Sequence, residues 1–201
     1  MVGLEMKKQA LDAVDLRMPL LHLTSRSPLA IGIGYIAGYV LLDWISYVQP
    51  VLKLGIMPWN PQAGLTLAFL AVAGPAFAPA AALAALIAEG MGRATPTSMP
   101  AILAASAAAL VIAGGYGAAA VALRRRNLLT PPETPGGAAA LILIATLTAL
   151  PVACLYVLLF LGAGLLPDSA VPGAVARYWG GDVNGVLTVT PLLLALPRWR
   201  T

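Results

Sequence analysis

Five apolar runs divide the chain: Pro28 to Val48, Pro61 to Ala88, Pro100 to Leu123, Gly137 to Leu166 and Gly181 to Leu196. About 20 consecutive apolar residues make a helix that crosses the hydrocarbon core of a bilayer. Inside lipid every backbone N–H and C=O must be satisfied internally, so a spanning segment is a helix or part of a closed barrel. The runs are continuous rather than alternating, which selects helices. Composition agrees, because only 10% of the 201 residues are charged and 60% are apolar, against about 25% charged in an ordinary soluble domain. Six spans of about 20 residues leave no room for a soluble catalytic domain.

The second run decides the topology. As one helix its 28 residues would be about 42 Å long, well beyond the roughly 30 Å core. Gly74-Pro75, with Pro79 close behind, offers a place to turn. With that run split and the N-terminus cytoplasmic, Lys7, Lys8, Arg17, Arg26, Arg124, Arg125, Arg126, Arg198 and Arg200 fall inside, while Lys53, Arg93 and Arg177 fall outside. Left unsplit, the same residues divide evenly. The positive-inside rule therefore selects six spans, the second and third a proline-broken hairpin, with both termini cytoplasmic. Pro151 has no glycine or polar residue beside it and is expected to kink a single fifth helix.

The expected organisation is a cytoplasmic tail over 1–27, a six-helix transmembrane domain over 28–197 and a short cytoplasmic end over 198–201. In the tail, Leu4, Leu11, Val14, Met18 and Leu21 share one helical face among Lys7, Lys8, Arg17 and Arg26, the pattern of an interfacial helix. The tail is too long and too acidic for a secretory signal. Small residues dominate spans one, three and four, including Gly34, Gly38, Ala80 to Ala85 and Ala104 to Gly117. Such residues let helices approach closely in lipid.

Cys154 and His22 are the only cysteine and histidine. One of each forms neither an internal disulfide nor a four-ligand zinc site, and His22 in the polar tail lies far from any nucleophile. No catalytic residues, metal or cofactor are expected. The basic balance is explained by topology, so nucleic acid is not an expected partner. Gly32-Ile-Gly34 lies inside an apolar run with no strand before it, and Gly180-Gly181-Asp182 opens a span, so neither reads as a nucleotide motif.

The polar residues that remain gather on one side of that topology. Asp43, Glu89, Arg93, Arg177 and Asp182 all map to the outer ends of spans, at the level of Trp44, Trp59, Asn60, Gln62, Trp179 and Asn184. One reading is an aromatic belt with solvated charges. The other is an outward-opening polar pocket in which Arg93 or Arg177 pairs with Asp43, Glu89 or Asp182, since unpaired charge in a desolvated layer is costly. Asp182 is expected in the first turn of span six, where a carboxylate is favoured by free backbone N–H groups.

Two stretches carry a family resemblance. Tyr178-Trp-Gly-Gly-Asp-Val-Asn-Gly-Val-Leu-Thr-Val-Thr-Pro-Leu-Leu-Leu194 resembles the closing segment of the first class of MASE domains, the bacterial membrane-associated sensors. Asn60-Pro-Gln-Ala-Gly64, followed by Gly74 and Pro75 or Pro79, is similar to that family's entry to its second span, with Asn60 in place of a tryptophan and Trp59 displaced by one position. The three arginines after span four also fall where the family places basic residues.

The resemblance implies a sensory or regulatory module of the bacterial inner membrane that receives a signal in an outer-side pocket or the bilayer. Such domains normally precede a kinase, cyclase or similar output. This sequence ends at Thr201, just after span six, which leaves three arrangements open: a sensor that passes its signal to a membrane or cytoplasmic protein partner, a truncated sensor, or a subunit recruited to another membrane complex. Two other functions compete with it: a structural subunit packed against a larger membrane complex, favoured by the alanine-rich spans, and a solute-binding transport subunit. The stimulus and oligomeric state are open.

Overall fold

The computed structural model describes residues 27–48, 50–52, 54–91, 98–129 and 132–196. Among them the secondary structure is entirely helical. The helices are α1 (Pro28–Ser46), α2 (Pro61–Ala73), α3 (Ala78–Gly90), α4 (Met99–Arg125), α5 (Pro135–Gly162) and α6 (Val171–Ala195), with 3-10 turns at Pro75–Phe77 and Asp168–Ala170. The expected interfacial helix, the cytoplasmic C-terminal end, Lys53 and Arg93 lie outside the described residues.

Local chemistry sets most helix starts. Ser27, Ser98 and Thr134 accept hydrogen bonds from Ala30, Ala101 and Gly137 N–H, and a proline occupies the first positions of each of these helices. Both features satisfy or remove orphan donors of the first turn. The break in the second run falls at Gly74, whose φ of +114° is open to glycine and strained for other residues. Pro75 then begins the 3-10 turn. Arg124, from the end of α4, donates to the Ala71 carbonyl at 2.9 Å, one of the carbonyls that α2 leaves open at its end.

The chain does reverse at that break. Gln62 near the start of α2 and Glu89 near the end of α3 line the same small cavity. Helix α2 nevertheless packs mainly on α6 and then on α4, and α3 on α4 and α1, with little contact between the two. Each has 13 residues, which is about 20 Å and short of a full crossing. The segment between α1 and α2 makes up the difference by folding into the bundle. Ile56 and Met57 are completely buried there.

Helices α1, α4 and α5 are long and apolar enough to cross a membrane. Helix α6 is also long, at 25 residues, but begins ten residues before the expected run. Hydropathy marks its second half only, because Arg177, Trp179 and two glycines dilute the first. Helix formation asks only for backbone bonds, so the helix runs through them. Pro151 sits inside a continuous α5, in line with a single fifth helix.

The alanines pack inward. Ala104, Ala105, Ala108, Ala109, Ala119 and Ala120 of α4 are buried, whereas Leu103 and Leu110 face out. Helix α5 likewise turns Leu143, Leu147, Leu150, Leu155 and Leu158 outward. Small side chains therefore serve this bundle's own helix contacts and bulky ones meet the lipid, as close packing in a membrane requires. Gly115 brings α4 against α5 so tightly that a Cβ there would lie 2.4 Å from Val152 Cγ2.

Candidate functional site

Asn60 is a residue type that favours helix N-caps, and it stands just before Pro61 at the start of α2. Its side chain makes no capping bond. Instead its amide Nδ2 donates to Asp182 Oδ1 at 2.7 Å. The other carboxylate oxygen, Oδ2, accepts the Tyr116 hydroxyl at 2.5 Å. Asp182 is 2% exposed, so both oxygens would be costly to leave open. Two neutral donors from α4 and the α2 entry satisfy them.

The network continues through Gln62. Its Nε2 donates to Asp43 Oδ1 at 3.0 Å and reaches Asn60 Oδ1 at 3.4 Å, while its Oε1 accepts from Ser46 Oγ at 3.4 Å. One turn further along α2, the Thr66 hydroxyl donates to the Gln62 carbonyl at 2.7 Å and bonds the Tyr35 hydroxyl at 2.8 Å. Beside this chain, Tyr156 of α5 donates to Glu89 Oε1 at 2.6 Å. All six helices thus place a polar side chain in one region of an otherwise apolar bundle. Satisfied networks in a low dielectric are strong and geometrically specific.

Close backbone contact makes this geometry possible. A Cβ on Gly185 would lie 1.8 Å from the Asn60 carbonyl oxygen, one on Gly181 2.3 Å from Met57 O, and one on Gly64 2.2 Å from Gly185 O. The main chain of α6 therefore rests on that of 57–64. The Asn60 N–H donates to Gly181 O at 3.0 Å, and Thr190 Oγ1 donates to Gly64 O at 3.0 Å.

A cavity of about 20 Å³ lies among Asp43, Asn60, Gln62, Glu89, Tyr116 and Asp182, with Tyr39, Gly55, Ala63, Ile112 and Tyr178 completing its wall. That is room for about one water molecule. No group of three or more metal-ligating side chains occurs among the described residues.

Of the ten residues singled out from the sequence, Asp43, Asn60, Gln62, Glu89 and Asp182 meet at this cavity. Trp59 and Asn184 are exposed, and Arg177 and Trp179 are half-buried outside the cavity wall. Arg93 lies outside the described residues. One expectation needs correction. Asp182 does not cap a helix N-terminus, since it is the twelfth residue of α6, about 16 Å from its start. Its hydrogen-bond donors among the described residues are an amide and a phenol.

The tyrosines were missed. Tyr39, Tyr116, Tyr156 and Tyr178 are at most 5% exposed, and Tyr156 packs on Tyr178 with ring centroids 4.5 Å apart. A tyrosine inside an alanine-rich run was the available signal, because a buried hydroxyl requires a partner.

No curated protein and no solved structure matches the chain. The family model MASE1 matches residues 29–201, a span that takes in the described helices, all but the first residue of α1, and every member of the hydrogen-bonded network. A polytopic helical bundle with this match over most of its length belongs to the MASE1 family, the membrane-associated sensory domains.

Proposed function

We propose that this membrane sensory domain detects its signal through the buried network around Asp182 and passes it to a protein partner along α6. The observation that carries the reading is the continuous set of side-chain bonds from Asp43 through Gln62 and Asn60 to Asp182 and Tyr116. These bonds tie α1 and the α2 entry to the middle of α6. A shift of α1 or of the buried 54–60 segment must either move Asp182 with it or break the Asn60 bond. Either response gives two states with different contacts, the requirement for a switch.

The small cavity favours a stimulus that acts on helix positions over an organic solute held inside the bundle. The alanine faces that suggested a structural subunit are already occupied within the bundle. The domain is placed in the bacterial inner membrane, with both termini in the cytoplasm and a kinase, cyclase or comparable protein as its partner.

A chimera tests this. A diguanylate cyclase joined after Thr201 reports the state of α6 through its product. Asp182→Asn and Tyr116→Phe are expected to change its output by about 5-fold or more, the scale of ordinary coupling energies. Leu147→Ala on the lipid face is the control and is expected to leave output unchanged. Unchanged output from folded, membrane-inserted Asp182 and Tyr116 variants would overturn the reading.

A further inference from the structure

Among the described residues, Asp182 is held by neutral groups alone. It is 2% exposed, and its two oxygens accept from the Asn60 amide at 2.7 Å and the Tyr116 hydroxyl at 2.5 Å. Facing the same cavity are the carboxyl groups of Asp43 on α1 and Glu89 on α3, with the phenols of Tyr39 on α1 and Tyr178 on α6. Tyr156 of α5 reaches Glu89 from beside it. The α2 entry contributes the amides of Asn60 and Gln62, and no lysine, arginine or histidine lines the cavity among the described residues. Asp43, Gln62 and Glu89 each stand close to a helix end. The cavity therefore sits toward one end of the bundle, the side from which bulk water supplies protons.

An ionised carboxylate taken out of water is costly unless an opposite charge pairs with it. Adding a proton removes that cost but creates a donor, which then needs an acceptor. This site supplies one. With a proton on Oδ2, the Asp182 O–H donates to the Tyr116 oxygen along the same 2.5 Å line. The Tyr116 O–H then turns toward the cavity, where about one water has room to accept it. Oδ1 stays bonded to Asn60 as a carbonyl oxygen, through a neutral bond about half as strong as the charge-assisted one. The step takes up one proton from water, re-aims two O–H groups and breaks no covalent bond.

We infer that a proton is the ligand of this site: its uptake at Asp182 reverses the Asp182–Tyr116 hydrogen bond and slackens the tie between α6 and the α2 entry. Acid is then the signal that the network receives. The inference rests on the reading of this network as the detector, and it fits a cavity that admits a water and no organic solute.

Infrared difference spectra of the full chain in nanodiscs test the protonation. A carboxylic C=O band is expected to grow as pH falls from about 9 to 5, the range searched around the ordinary carboxyl values. Asp182→Asn lacks that band, and Tyr116→Phe, which alters the hydrogen bonding of the same acid, moves its frequency. The chimera tests the signal. Relative to the cyclase alone, wild-type output is expected to change about 5-fold or more across that range. The Asp182→Asn side chain donates to Tyr116 and accepts from Asn60 as the protonated acid does, so it is expected to hold output at the wild-type acid level at every pH. Where circular dichroism shows that Asp182→Asn fails to fold, the Tyr116→Phe band shift decides.

The absence of an Asp182-dependent band, or a band unmoved by Tyr116→Phe, overturns the inference. So does a pH response that survives Asp182→Asn and disappears in Asp43→Asn or Glu89→Gln, which puts the proton on a neighbour. Output that changes with Asp182→Asn but not with pH in wild type removes the proton and leaves the detector reading intact. Output unmoved by either removes both.

Discussion

The Asn60 amide and the Asp182 carboxylate are 122 positions apart in the chain and 2.7 Å apart in the bundle. Beside that bond Gly185 meets the Asn60 carbonyl with no room for a methyl group. The side-chain bond and the glycine contact depend on each other. The bond needs α6 close to the α2 entry, and the close approach needs its buried polar atoms satisfied.

Adjacent glycines of α4 should respond oppositely to the same substitution. Gly115→Ala places a methyl group 2.4 Å from Val152 Cγ2, whereas Gly114→Ala meets nothing within 4 Å. The first is expected to cost about 1–3 kcal/mol through overpacking. The second is neutral or gains up to about 1 kcal/mol from helix propensity. Thermal or denaturant unfolding in detergent, followed by circular dichroism, measures both. Equal effects would mean that α4 and α5 are not in this close contact.

Asp182 should separate acceptor from charge. Asp182→Ala strands the Asn60 amide and the Tyr116 hydroxyl together and is expected to cost about 2–4 kcal/mol. Asp182→Asn keeps an acceptor and should cost about 0.5–1.5 kcal/mol. Tyr116→Phe, which removes one donor to a carboxylate, should fall between at about 1.5–3 kcal/mol. The same unfolding assay gives the order, and an alanine variant as stable as wild type would contradict the buried network.

Glu89 and Tyr156 join α3 to α5 at 2.6 Å. A double-mutant cycle of Glu89→Gln and Tyr156→Phe is expected to return a coupling of about 0.5–3 kcal/mol, the range for residues in direct contact. The cycle isolates the pair from the other neighbours of each residue. Strictly additive losses would show that the hydroxyl and carboxylate do not interact.

Topology is checked with fusions. Alkaline phosphatase joined after Thr201 is expected to be inactive, and the same enzyme inserted in the 91–98 connection active, because the positive-inside rule predicts a cytoplasmic C-terminus. An active C-terminal fusion would invert the assigned orientation and remove the route from α6 to a cytoplasmic partner.

Among the described residues, the six helices, their membrane setting and the turn at Gly74 were legible from the sequence alone. Hydropathy over twenty residues and proline chemistry act locally, and every position along the chain reports them. The polar residues Asp43, Asn60, Gln62, Glu89 and Asp182 were legible as a group for a related reason, since each is conspicuous in an apolar context.

Their depth and partners were not. The start of α6 was misplaced by ten residues because hydropathy averages side chains, while a helix is made by backbone bonds that run on through Arg177 and Gly180. The pairing of Asp182 with Asn60 and Tyr116 could not be read from spacing, because it depends on how α2, α4 and α6 rotate against one another. That rotation is decided by Gly64, Gly181 and Gly185, whose missing side chains let backbone meet backbone. Only the packed structure distinguishes these glycines from Gly180, one residue away on α6 with open space beside it.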